Sequence, residues 1–174
     1  NSKIKAVIPV HMLGVPVELN KICKIANKYK VPMLEDNCES VGAKYKKKYL
    51  CNFGEVGVAS FDHAKTITCG EGGMIFSNSK KIDKFCREYH DHGHENNLKY
   101  PRGMDTRKIY GFNYRMTELQ GIIGKVQLKK INRILSENKK RYNAIKNNLS
   151  KEIEIRKIPD HSDPVYDTFI FFIR

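Results

Sequence analysis

The chain has no apolar run of 18 residues or more, no CxxC spacing, no internal repeat and no low-complexity linker. The first absence excludes a membrane-spanning helix. The second argues against a structural zinc. The five cysteines (Cys23, Cys38, Cys51, Cys69, Cys86) are odd in number and do not suit a disulfide framework. With no secretory pattern at its start either, the chain is expected in a reducing compartment, the cytoplasm. Acid is also scarce, with 19 acidic side chains against 32 basic ones. Such a surplus can serve nucleic-acid binding. Here the bases are lysines scattered in groups such as Lys46-Lys47-Lys48 and Lys129-Lys130, and no RNP-like motif accompanies them. They read as a solvated surface that at most attracts phosphorylated or nucleotide-linked molecules. No nucleic-acid partner is expected.

What is present is an alternation of short apolar strands and amphipathic helices. Strands are expected at 6–10, 31–34, 56–61 and 74–77, with a turn or hairpin at 44–49. Helices are expected at 17–29, with Leu19, Ile22, Cys23 and Ala26 on one face, and at 79–88, with Ser79 as N-cap. A long polar loop runs from about Tyr89 to Gly111. A helical pair follows from Thr117 to about Leu128 and onward to Leu149, opened by a capping box at Thr117 and Gln120. Segments 151–158 and 165–173 look like further strands. The alternation implies a mostly parallel α/β sheet covered by helices.

Two places in this frame carry chemistry. The run Val31-Pro32-Met33-Leu34-Glu35-Asp36 reads as a buried strand that ends in two carboxylates, and ligands of open α/β sheets bind beyond the carboxyl ends of such strands. Asp36 has two readings there: an N-cap for the segment from Asn37, or a carboxylate that keeps a pyridine nitrogen protonated. Downstream, Ser60-Phe61-Asp62-His63-Ala64-Lys65-Thr66-Ile67-Thr68-Cys69-Gly70-Glu71-Gly72-Gly73 delivers one lysine from a strand into a turn rich in Gly and Thr. A solvated loop lysine is the plain reading of Lys65. A lysine desolvated at a strand end is instead a nucleophile toward carbonyls. The two motifs together favour the second reading.

These runs, with Pro9-Val10-His11-Met12-Leu13-Gly14, Glu35 to Ala43, Phe53-Gly54 and Gly111-Phe112-Asn113-Tyr114-Arg115-Met116-Thr117-Glu118-Leu119-Gln120, resemble the DegT/DnrJ/EryC1/StrS sugar aminotransferases. That family has the fold type I architecture and uses pyridoxal 5'-phosphate. The resemblance spans about Ala6 to Tyr142. It implies that Lys65 forms the Schiff base with the cofactor and later moves a proton, and that Asp36 partners the pyridine nitrogen. It also implies that Ser60 contacts the cofactor phosphate and that Asn113 reaches the phosphate of the neighbouring subunit's cofactor, in a homodimer with a shared active site. Glu39 falls where many members have Gln near the cofactor's phenolic oxygen. For a fold type I chain 174 residues is short, so the expectation is a fragment: 1–150 as part of the large cofactor-binding domain and 151–174 as the start of a smaller one.

The implied reaction moves an amino group, with L-glutamate as the expected donor, to a keto sugar that is nucleotide-linked or an ulosonic acid. The product would serve polysaccharide or glycoconjugate biosynthesis. Two alternatives stay open: a sugar dehydrase on the same scaffold, and a non-catalytic cofactor-binding relative in a regulatory role. Dehydrases of this kind carry His where this chain has Lys65, which favours transamination. The loop Tyr89-His90-Asp91-His92-Gly93-His94-Glu95 invites a metal reading, since imidazole and carboxylate suit first-row metals. A cofactor that is already an electron sink needs none, so no metal is expected. The loop, with Arg102, Asp105, Arg107 and Arg115, is read instead as a candidate for sugar hydroxyls or a substrate carboxylate, which guanidinium binds through paired hydrogen bonds. The run Arg102-Gly103-Met104-Asp105-Thr106 resembles a branch that aminates an eight-carbon ulosonic acid.

Overall fold

The computed structural model describes residues 3–101 and 103–173. Its main sheet has the order β1 (Leu34–Asp36), β4 (Val56–Ser60), β5 (Gly73–Phe76). β1 and β4 are parallel, with Asp36 opposite Val58, and β5 returns antiparallel to β4. On the far side of β1, Val7 and Val10 make parallel bridges to Met33 and Asp36. The sheet is therefore mixed and mostly parallel, as the alternation implies.

The expected strand at 6–10 survives only as those two bridges, and Pro9 is the reason. Val7 N–H donates to Pro32 and His11 N–H to Asp36, so the ladder needs a donor midway between them. Proline has none. The strand keeps its place against β1 through carbonyls: Leu34 N–H donates to Val7 and Asp36 N–H to Pro9.

Helix α1 (Leu19–Tyr29) lays its apolar face on this sheet. Leu19 joins Met33, Ala43, Tyr45, Leu50 and Val165 in the core, with Ile22 and Cys23 packed against it. The hairpin of β2 (Lys44–Tyr45) and β3 (Lys48–Tyr49) brings Tyr45 into the same cluster. Its two turn residues, Lys46 and Lys47, both have positive φ (49° and 64°), the conformation a two-residue hairpin turn demands. A short strand not expected from sequence, β7 (Ser162–Asp163), adds to β2.

Helix α2 (Lys80–Tyr89) is capped by Ser79, whose hydroxyl accepts from Ile82 N–H. Helix α3 (Glu118–Leu128) starts with the full capping box between Thr117 and Gln120. Helix α4 (Ile131–Asn148) follows after Lys129 and Lys130. The expected strands at 151–158 and 165–173 shrink to β6 (Glu154–Ile155) and β8 (Phe171–Phe172), which pair with each other. Val165 is drawn instead into the core, its N–H donating to Gly14, and Tyr166 at φ 58° turns the chain away from extension. Among the described residues no helix is long and apolar enough to cross a membrane.

Candidate active site

β1 and β4 run parallel, so the residues that follow them emerge at one sheet edge. Asp36 ends β1, half-buried, and its carboxylate accepts from Cys38 N–H at 3.1 Å. The turn that follows carries Glu39. From β4 the chain passes Ser60 and folds into the turn that holds Lys65. The Lys65 Nζ lies 3.8 Å from Glu39 Oε1 and 3.7 Å from Asp62 Oδ2, with the side chain one-fifth exposed. Asp62 is itself pinned: the Ala64 N–H bond, with the Lys65 charge added, outweighs its desolvation and holds the carboxyl below its usual range.

A third segment closes on these two. Leu13, held at φ 53°, donates its N–H to Glu39 Oε2 at 2.7 Å. One Glu39 oxygen thus faces Lys65 while the other is tied to the turn at 12–14. Cys38 lies among these groups. Burial, then the hydrogen bond to Asp36 and its charge, push the thiol up to about 11, with Lys65 opposing. At neutral pH Cys38 stays a thiol and is no nucleophile. Its surroundings register the Asp36 carboxylate and the Lys65 amine together.

Ser60 is half-buried at the end of β4, where its hydroxyl accepts from Asp62 N–H at 3.3 Å. The glycine-rich turn behind Lys65 is fastened by Phe61 N–H to Gly72 and by Gln120 Nε2 to the Glu71 carbonyl, which links it to α3. The structure thus gathers Asp36, Glu39, Ser60 and Lys65 at one edge. Asn113 belongs to a different cluster: it is exposed, its Oδ1 accepts from Arg115 Nε at 3.0 Å, and its backbone bridges to Asp91.

The 89–111 loop lacks long regular elements but is firmly cross-linked. His94 is nearly buried. Its Nε2 faces Arg107, which can only donate, so the ring proton sits on Nδ1 and points to Asp105 at 2.8 Å. Asp105 also accepts from Asn96 N–H, and Glu95 takes bonds from Thr106 and Lys108. Both His94 nitrogens are committed within the loop. Arg115 reaches Asp91 at 3.3 Å. Arg102 lies outside the described residues.

Two site-supporting residues escape sequence reasoning, Glu35 and His11, both fully buried. Of the pair at the end of β1, strand alternation turns Glu35 inward, where it accepts from the N–H groups of Phe53 (2.6 Å), Gly54 (2.8 Å) and Cys51 (2.9 Å). Gly54 has no room for a side chain, since a Cβ would stand 2.4 Å from the Met33 carbonyl oxygen. Burial pushes the Glu35 carboxyl up, yet His11 and the Gly54, Phe53 and Cys51 amides together hold it below the usual range. The available signal was the Glu-Asp doublet itself, because adjacent strand residues cannot both face the site.

The family model described as the DegT/DnrJ/EryC1/StrS aminotransferase family matches residues 1–174. The chain is 32% identical to the GDP-perosamine synthase of Escherichia coli O157:H7, over 97% of this chain and 44% of that one. It is 35% identical to a UDP-2-acetamido-2-deoxy-3-oxo-D-glucuronate aminotransferase of Pseudomonas aeruginosa, over 70% of this chain and 32% of the other. Among solved structures it superposes on the E. coli GDP-4-keto-6-deoxy-D-mannose-3-dehydratase with bound hydrated PLP, with a TM-score of 0.88 and 27% identity, covering 100% of this chain and 48% of that one. The chain spans less than half the length of these relatives.

Proposed function

The chain belongs to the DegT/DnrJ/EryC1/StrS aminotransferase family, and from that premise we propose that it is the lysine-bearing part of a pyridoxal 5'-phosphate-dependent sugar aminotransferase. The reaction carries nitrogen from L-glutamate to a keto sugar, nucleotide-linked or an ulosonic acid, and leaves 2-oxoglutarate and an amino sugar. The observation that carries the reading is the approach of the Lys65 amine to Glu39, on the turn that follows Asp36. The donor set fits the cofactor: an amine for its aldehyde, a carboxylate for its ring nitrogen and a hydroxyl for its phosphate.

When bound, the cofactor supplies a cationic ring that stabilises negative charge on the carbon next to the transferred nitrogen. Lys65 would hold the aldehyde and, once freed by the donor amine, would serve as the base and acid that moves the donor's α-proton to the cofactor carbon that bore the aldehyde. Asp36 holds the proton on the ring nitrogen. Ser60 would donate its hydroxyl to the phosphate, and Glu39, tied back by Leu13 N–H, would serve near the phenolic oxygen, where many family members have Gln. Asn113 serves the cofactor of a partner subunit in a homodimer. Residues 1–150 belong to the large domain and 151–174 begin the small one. All five cysteines are free, in keeping with a cytoplasmic setting.

The dehydratase neighbour raises a second reading, in which the product loses water rather than gaining an amine. Lys65 speaks against it, since the dehydrases that this sequence resembles carry His at that position. The test uses the intact enzyme. Lys65→Ala is expected to abolish both the visible absorbance of the bound cofactor and nitrogen transfer from glutamate; a variant that keeps both excludes the assignment. Asp36→Ala is expected to lower turnover roughly 100- to 1000-fold with the fold intact, as for loss of a transition-state electrostatic partner.

A further inference from the structure

We propose that His11 and Glu35 form a buried positioning pair that sets the orientation of Asp36, Glu39 and, through Glu39, Lys65. The inference rests on the cofactor reading above. Neither side chain touches solvent, and the imidazole Nε2 lies 3.5 Å from Glu35 Oε2. The ring tautomer is fixed by its other nitrogen: Nδ1 accepts from Val17 N–H at 3.2 Å, so the proton sits on Nε2 and points at the carboxylate. At 3.5 Å this is a long approach of dipole to charge, and Nε2 has no closer partner.

Glu35 commits its oxygens to three backbone N–H groups of the 51–54 turn. Holding Glu35 inward forces its neighbour Asp36 to the opposite side of the strand. The main chain of His11 then grips the same place. Its N–H donates to the Asp36 carbonyl at 3.0 Å, and its own carbonyl accepts from Ser40 Oγ at 2.5 Å. Two residues on, Leu13 N–H fixes Glu39, the carboxylate that faces Lys65. Glu35 thus ties 34–40 to 51–54 and faces His11 of 10–17; Asp36 and Glu39 lie on 34–40, and Lys65 meets that segment through Glu39. Catalytic groups held to within a fraction of an ångström need such support behind them.

In Glu35→Gln the oxygen can still serve Phe53 and Gly54. Its new amide then confronts the Cys51 N–H and the His11 Nε2–H, a clash of donors between side chains fully buried from solvent. The imidazole cannot turn to help, because Nδ1 is taken by Val17. His11→Asn is the milder change: its side-chain oxygen can still accept from Val17 N–H while nothing faces Glu35.

The experiment uses the intact enzyme, titrating apoprotein with pyridoxal phosphate, following the visible band against pH, and melting the apoprotein. Both variants are expected to weaken cofactor binding about tenfold or more and to move the pH midpoint of the band, beyond any change in apoprotein melting. A variant that melts lower yet binds the cofactor as the wild type does, with an unmoved midpoint, would reduce the pair to a packing device and overturn the inference alone. A wild-type protein that shows no cofactor band overturns the functional reading and the inference with it. Should Glu35→Gln not fold, His11→Asn and Ser40→Ala decide by the same two readouts.

Discussion

Helices α1 and α3 are both eleven residues long and both carry apolar side chains at helical spacing, yet they end in opposite surroundings. Leu19 of α1 is fully buried, whereas Leu119 and Ile122 of α3 are 74% and 59% exposed. The partners of α1 are close in sequence: Met33, Ala43, Tyr45 and Leu50 lie within the next elements, and Val165 closes the cluster. No residue of α3 is buried among the described residues, and β5, which follows the turn that Gln120 holds at Glu71, is exposed along its whole length. The contrast divides the molecule into a closed flank, which holds Glu35 and His11 behind the site, and an open flank of α3 and β5. Relatives of about twice this length supply further chain. Amphipathic spacing therefore says that a face will be covered, not what covers it.

The largest effect is expected on the closed flank. Leu19→Ala removes a fully buried side chain from a tight cluster and should lower the unfolding free energy by about 2–5 kcal/mol in urea denaturation. A loss under 1 kcal/mol would mean that the cluster collapses around the gap and the flank is not rigid. Next comes the acid limb. Glu35 has a folded pKa below its unfolded value near 4.5, so it contributes stability that is present above about pH 4.5 and is lost as pH falls through the lower folded value. The urea midpoint should decline across that window, and Glu35→Gln should flatten the decline while lowering stability at neutral pH. An unchanged slope in the variant would take Glu35 out of the acid response.

How far these features were legible follows from how local their causes are. The capping box at Thr117 and the N-cap at Ser79 are decided within three residues, and both appear as read. The parallel sheet and the arrival of Asp36 and Lys65 at one edge follow from strand alternation and chain direction. The Glu35 network was not legible, because its donors stand 16 to 19 residues away in a turn with no regular structure. Val165 was misread as strand for the same reason. Its β-branched side chain suits a strand, but Gly14 and the core claim it. Pro9 could have been read: a proline in the middle of a short strand removes a ladder donor.

The smaller effects belong to the open flank. Thr117→Ala removes one half of the capping box and should cost about 1 kcal/mol, measurable as a loss of helicity and a lower melting temperature. Ile122→Ala should cost least, within about 0.5 kcal/mol in the 174-residue chain, since the side chain is mostly in water and Ala is the better helix former. The same substitution in the intact enzyme sharpens the comparison. A cost near 2 kcal/mol or more there would mean that chain outside these residues, or a second subunit, covers the face, and that the two helices differ only in where their partners come from. A cost that stays below about 0.5 kcal/mol in both settings would make the open flank a property of the folded enzyme itself.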